Sequence, residues 1–249
     1  MKKRLDAVLT EKGLFETRSK AQAVIMAGNI LVNEQKVDKA GTLIDENSKI
    51  RILGSNLKYV SRGGLKLERA LTEFNVSPSK KICLDIGAST GGFTDCLLQN
   101  GAEKVYAVDV GYGQMDLKVR NDKRVVVIER TNARNLTAEA LYEKGTEKDN
   151  CASFAVIDVS FISLSKILPA VYSLLSEKGE VVALVKPQFE AGRSLVGKGG
   201  IVKDKSTHDL VLKNTIDAAK SIGFIFVASC TSPVKGADGN VEFLIHLKK

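Results

Sequence analysis

Asp85-Ile-Gly-Ala-Ser-Thr-Gly-Gly-Phe-Thr94 leaves the apolar run Ile82–Ile86 and opens the helical pattern Gly92–Gln99. A strand that turns through glycines into a helix points to an α/β fold with a ligand beyond the carboxyl end of its sheet. Gly87 permits a tight turn, and Gly91 and Gly92 let backbone approach a ligand closely. The stretch lacks the Gly-Lys-Ser/Thr ending of a phosphate loop and the GxGxxG of an ordinary dinucleotide site. Working outward, apolar runs recur at Val105–Val108, Val125–Ile128, Phe154–Val159 and Val181–Val185. Between them lie helical candidates at Gln114–Val119, Thr137–Lys144 and Leu164–Leu175. Unbroken apolar strands separated by helices predict a mostly parallel sheet covered on both faces. After Asp204 a helix runs to about Ser221, then strands Phe224–Ser229 and Val241–Leu247 follow. The short Gly236–Asn240 between them predicts an antiparallel pair.

Asp109 ends the strand after the Gly-rich turn, where an acidic residue can hold ribose hydroxyls. Turn and acid together favour an adenosine cofactor without a pyrophosphate, and S-adenosylmethionine fits. The candidate cofactor residues are Asp85, Gly87, Ala88, Ser89, Gly91, Gly92, Phe93 and Asp109. Four distant stretches, Ser61–Leu67, Ile157–Leu164, Leu184–Glu190 and Gly239–Leu244, contribute Lys66, Asp158, Lys186 and Glu242. Charged side chains are rarely buried unless paired. Two lysines and two carboxylates converging at one sheet edge are therefore either a structural ion network or an active site. The cofactor turn beside them favours an active site, that of an RNA-modifying enzyme.

The 249 residues leave room for one full-sized domain and a small one. Hydrophobic content of 44% and charged content of 27% are ordinary for a globular protein. The net charge of +8 favours a polyanionic partner, and the first sixty residues carry half of that excess. Cys83, Cys96, Cys151 and Cys230 have no CxxC spacing, and His208 and His246 are the only histidines. Neither a zinc site nor a disulfide framework is expected. No run approaches the ~20 apolar residues that span a bilayer, and Met1-Lys-Lys-Arg does not open a signal peptide. The expected location is the cytoplasm, with no membrane partner.

Residues 1–53 read as a separate α+β module, 54–60 as a linker, and 61–249 as the larger domain. In the module, Leu5, Val8 and Leu9 recur at helical spacing, and a second helix runs from Thr17–Ser19 to Gly28. Ile30, Val32, Val37, Ile50 and Ile52 mark short strands, with Asn33-Glu-Gln at a turn. Through Arg4-Leu-Asp, Thr17-Arg-Ser-Lys-Ala-Gln-Ala, Ala27-Gly-Asn-Ile and Val32-Asn, the segment resembles the αL RNA-binding module named after a ribosomal small-subunit protein. That resemblance implies RNA contacts by Arg4, Arg18, Ser19, Lys20 and Lys36, which give affinity more than sequence choice.

The larger domain resembles the TlyA family, which joins this module to an FtsJ-like, Rossmann-like class I methyltransferase domain. The resemblance is carried by Asp85–Thr94, Ala107-Val-Asp-Val-Gly-Tyr-Gly, Glu129-Arg-Thr-Asn-Ala-Arg134, Asp158-Val-Ser-Phe-Ile-Ser-Leu164, Lys186-Pro-Gln-Phe-Glu190 and Gly239-Asn-Val-Glu-Phe-Leu244. It implies 2′-O-methylation of cytidine in ribosomal RNA, free or in ribosomal subunits, with S-adenosylmethionine as methyl donor. Ser61-Arg-Gly-Gly-Leu-Lys-Leu67 is similar to the opening stretch of FtsJ-like ribose methyltransferases and maps their first catalytic lysine onto Lys66. Asp158, Lys186 and Glu242 match the other three catalytic positions, and Asp158 also faces the donor. By the same analogy Asn132 and Ala133 line the adenine pocket. Arg62, Arg193 and Lys198 are further candidate RNA contacts, the last two in a glycine-rich segment, 192–200, that reads as a surface loop or a lid. A membrane-lytic protein, prompted by the label hemolysin that some members carry, finds no spanning segment in the sequence. An RNA-binding protein with an inactive methyltransferase fold is disfavoured by the presence of all four catalytic positions.

Overall fold

In a computed structural model, residues 2–15, 17–52, 58–142, 151–192, 195–236 and 239–249 are described. The chain divides into two compact units between residues 57 and 58.

The first unit runs β1 (Lys2–Arg4), α1 (Leu5–Glu11), α2 (Arg18–Met26), β2 (Ile30–Val32), β3 (Gln35–Val37), β4 (Leu43–Asp45) and β5 (Ile50–Ile52). Leu5, Val8 and Leu9 of α1 pack with Ala21 and Ile25 of α2 and with Ile30 and Val32. Thr17 starts α2 by accepting a hydrogen bond from the Lys20 backbone N–H at 3.3 Å, which satisfies one of the donors that a helix start leaves free. β2 pairs antiparallel with both β3 and β5. Asn33 and Glu34, both at positive φ (50° and 66°), make the two-residue turn whose twist suits a hairpin. A second pairing, β1 with β4, has no alternating apolar signal in Lys2–Arg4.

The second unit begins with Tyr59 and Val60, read above as linker. Tyr59 is buried, and the Val60 N–H donates to Asp95 Oδ2 at 2.9 Å, so both belong to the folded unit. It continues through α3 (Gly63–Glu73), β6 (Ile82–Ile86), α4 (Gly92–Gln99), β7 (Lys104–Val108), α5 (Leu117–Arg120), β8 (Val125–Ile128), α6 (Ala138–Leu141) and β9 (Ala152–Ile157). After a 3₁₀ turn at Leu164–Lys166 come α7 (Leu168–Leu174), β10 (Leu175–Val185), α8 (Pro187–Glu190), α9 (Lys205–Ile222), β11 (Ile225–Thr231) and β12 (Phe243–Lys248). Leu164–Leu175 is therefore not one helix: its first turn is 3₁₀, and Pro169 sits in the opening turn of α7, where a missing N–H costs nothing. The expected helix Gln114–Val119 starts only at Leu117, capped by Asp116, whose carboxylate accepts from the Lys118 N–H at 2.8 Å. β10 starts six residues before the expected Val181 and carries an irregularity between Leu175 and Glu180.

The seven-stranded sheet has the order β11-β12-β10-β9-β6-β7-β8. β10, β9, β6, β7 and β8 run parallel, while β12 lies antiparallel to both β10 and β11. One antiparallel strand in an otherwise parallel sheet is the arrangement expected from the sequence. Alternating residues feed two cores: Leu84 and Ile86 of β6 face one side, and Cys83 the other. From β6 the chain builds outward to β7 and β8, then returns to lay β9 on the opposite side of β6. That reversal opens a crevice at the carboxyl ends of β6 and β9, where doubly wound sheets take their ligands.

Candidate active site

Two clefts open at this crevice. The larger, about 440 Å³, has apolar walls from Ile86, Val108 and Ile167 and a polar side from Asp109, Thr131 and Asn132. The smaller, about 260 Å³, is bordered by Arg62, Lys66, Phe93 and Lys235. The clefts share Gly87, Ser89 and Asp158, so they join where β6 and β9 end. Gly87 is indispensable at the join. Its φ is +84°, and a Cβ there would lie 2.5 Å from the Asp158 carbonyl oxygen.

Asp109 is turned toward backbone. Its Oδ2 accepts from Ser89 N at 2.8 Å and its Oδ1 from Gly111 N at 2.6 Å, tying the Gly-rich turn to the end of β7. Asp85 lies beneath the turn, wholly buried, and accepts a 2.6 Å hydrogen bond from Thr94 Oγ1. Burial pushes its carboxyl up to about 7, helped by the charges of Asp158 and Asp109, while the Thr94 bond pulls the other way. Asp85 therefore supports the turn from below, and its Oδ1 has no hydrogen-bond partner among the described residues. Ala88, Gly92 and Phe93 border the smaller cleft, and Asn132 and Ala133 the larger. Gly91 caps α4 in the left-handed conformation and faces Met115 and Val119.

The four charged candidates come as two pairs. Lys66, on the first turns of α3, donates to Glu242 Oε2 at 2.6 Å, and both residues are buried. Lys186 Nζ stands 2.6 Å from Asp158 Oδ1. That contact is an ion pair outside hydrogen-bonding angles, because Oδ1 has no hydrogen-bond partner among the described residues; the amine donates instead to Ser160 Oγ at 2.9 Å. The sheet explains the gathering. Asp158 follows β9, Lys186 follows β10, and Glu242 precedes β12. Lys186 and Glu242 stand one step past Val185–Phe243, the last registered pair of these antiparallel strands. Backbone packs onto the group as well: a Cβ on Gly236 would collide with Glu242 Oε1.

Basic candidates elsewhere are placed differently. Arg4 and Arg18 are not free cations. Arg4 Nε and Nη2 and Arg18 Nη2 all donate to the Asp6 carboxylate, at 3.0–3.2 Å, and leave their guanidinium groups half exposed. Ser19 and Lys20 are exposed on α2, and the Lys36 side chain lies across Gly28. Arg62 borders the smaller cleft, Lys198 is exposed near Gly199 and Gly200, and Arg193 lies outside the described residues. The sequence reading missed Lys235 and Ser160. Lys235 follows β11 with no motif around it; Ser160 stood inside a quoted motif, but serine there reads as turn chemistry.

Comparison with known proteins now decides the family. Residues 59–249 match the FtsJ-like methyltransferase family, and residues 3–50 match the S4 domain. TlyA of Mycobacterium tuberculosis is 42% identical over 98% of this chain and 89% of its own length. The chain belongs to the TlyA family of FtsJ-like methyltransferases. The Mycobacterium relative is named a 16S/23S rRNA (cytidine-2′-O)-methyltransferase. YqxC of Bacillus subtilis is 55% identical over 99% of this chain and 85% of its own length. The solved structure of a hemolysin-named protein from Streptococcus thermophilus is 49% identical, covers 100% of this chain and 88% of its own, and superposes with a TM-score of 0.77. No helix among the described residues of this TlyA-family chain is long and apolar enough to cross a membrane.

Proposed function

We propose that this methyltransferase transfers the methyl group of S-adenosylmethionine to the ribose 2′-hydroxyl of a cytidine in ribosomal RNA. The observation that carries the reading is the junction of the two clefts at Asp158, with Lys66 bordering one cleft and the Lys186 amine against the shared carboxylate. The larger cleft fits the methyl donor. Its apolar walls suit a base, and Asp109, Asn132 and Ala133 can meet ribose and adenine. The glycine at 87 also keeps side-chain bulk from the join. When bound, S-adenosylmethionine supplies a methyl group already activated on sulfonium.

The chain's own residues act on the hydroxyl, a poor nucleophile at neutral pH. Positioning is worth ~7–11 kcal/mol of barrier in favourable cases, and general-base help ~10²–10⁴-fold. Alignment therefore dominates. Lys186, held by Asp158, is the group that steers the hydroxyl or, in its neutral form, takes its proton and becomes the ammonium that Asp158 balances. Lys66, held by Glu242, orients the ribose from the smaller cleft. The S4 domain supplies RNA affinity through its basic side chains, and a ribosomal substrate puts the enzyme in the cytoplasm.

The deciding experiment offers labelled S-adenosylmethionine with bare ribosomal RNA, separate subunits and whole ribosomes, then digests the RNA to nucleosides. Label in 2′-O-methylcytidine is expected. Label confined to a base, or to another nucleoside, overturns the reading.

A further inference from the structure

The segments 158–164 and 186–190 are joined three times. Lys186 touches Asp158 and Ser160; the Phe189 ring lies 5.0 Å from the Phe161 ring; and Glu190 accepts from Ser163 Oγ at 2.6 Å and from the Leu164 N–H at 2.8 Å. The contacts advance together along both segments, forming a clasp. Phe161, next to Ser160, takes a φ of 64° and is 90% exposed, with Phe189 as its ring neighbour. Glu190 closes the far end, buried enough that desolvation raises its carboxyl above the ordinary range.

At the near end the two contacts on the Lys186 amine differ in kind. The Asp158 contact is electrostatic and lacks hydrogen-bond angles, so it fixes where the amine is and leaves its rotation free. The bond to Ser160 Oγ is directional. Paired with Asp158 the group is an ammonium; once it is neutral it can accept a proton, and the directional bond to Ser160 sets where its free position points. We infer that Ser160 is a positioning residue for methyl transfer, turning the Lys186 amine toward the incoming hydroxyl, with the clasp holding Ser160 in place. The inference rests on the role proposed for Lys186. It departs from a reading in which only the two lysines and two carboxylates matter.

Ser160 is exposed, so its replacement leaves the core untouched. Ser160→Ala and Ser160→Thr are to be compared with the wild-type chain in single-turnover methylation at saturating RNA and S-adenosylmethionine, with KM for RNA and Kd for the cofactor measured separately. Loss of this one directional hydrogen bond predicts a fall of up to about tenfold in rate for Ser160→Ala. KM and Kd should stay unchanged, and Thr, which keeps an Oγ acceptor, should restore most of the rate. Three results would overturn the inference: an Ala rate within twofold of wild type, a loss explained by weaker cofactor binding, or a Thr variant as slow as Ala. Lys186→Ala tests the underlying reading separately. A fast Lys186→Ala enzyme removes the role of the amine, whatever Ser160 does.

Discussion

Asp6 in the first unit and Asp158 in the second are both carboxylates beside cations, but they are completed differently. Asp6 is 0% exposed and takes hydrogen bonds from Arg4, from Arg18 and, at 2.7 Å, from Gln22 Nε2. The Arg4 bonds above all, with those of Gln22 and Arg18, hold its carboxyl far below the usual carboxylate range against the cost of burial. Asp158 has a lysine 2.6 Å from its buried Oδ1, which has no hydrogen bond among the described residues, and it borders both clefts. A charge network that serves folding uses its donors and acceptors on itself. The second network instead borders the clefts where a substrate would arrive.

If that contrast is right, substitutions in the two networks should separate activity from stability. The largest effect is expected at Lys186→Ala: single-turnover methyl transfer should fall on the order of 10²–10⁴-fold while binding of cofactor and RNA persists. Lys186→Arg should fail as well, because guanidinium keeps its charge and does not deprotonate near neutral pH. A well-folded Lys186→Ala enzyme with near-normal rates would make the second network structural like the first.

Asp6→Asn should act the other way round. Two arginines lose their shared acceptor, and the first unit should lose on the order of 2–3 kcal/mol, less than a fully buried pair because both guanidinium groups reach solvent. Urea melts followed by circular dichroism would read this, and cofactor affinity should not change. Equal losses in both measurements would contradict the separation.

A smaller effect is expected at Asp109→Ala. The carboxylate ties Ser89 to Gly111 and borders the larger cleft, so calorimetry should show cofactor affinity about tenfold weaker in a chain that still folds. Unchanged affinity would remove Asp109 from the cofactor site.

The finest test is pH dependence at Asp85. Its folded-state pKa, about 7, lies above the unfolded value. Its contribution to stability is therefore complete below about pH 4 and is lost as pH rises through 7. Asp85→Asn should flatten that decline, seen as a melting-temperature difference from wild type that changes between pH 5 and 8. Parallel curves would mean that Asp85 titrates normally.

How much of this was legible follows from where each signal lies. The sheet was readable because continuous apolar strands and the turn at Asp85–Thr94 are local patterns. The four charged residues could be nominated because each sits where an apolar run or motif ends. The capture of Arg4 and Arg18 by Asp6 was not readable, since contacts spanning two and twelve positions share no periodic trace. β1 was hidden because Lys-Lys-Arg has no apolar face, and the start of β10 because Ser176-Glu-Lys-Gly-Glu180 looks like a loop. The orientation of Asp109 toward backbone, and of the Lys186 amine toward Ser160, depends on side-chain angles that spacing does not encode.

The reversed strand β12 has one further consequence. Parallel strands deliver their ends to the crevice as the chain leaves them, but β12 delivers Glu242 as the chain enters. Lys66 was laid down 176 positions earlier and has no charged partner other than Glu242 among the described residues. During synthesis its ammonium can gain that partner only after residue 242 has been made. A chain cut before residue 242 would keep the five parallel strands from β10 to β8 and lack this ion pair.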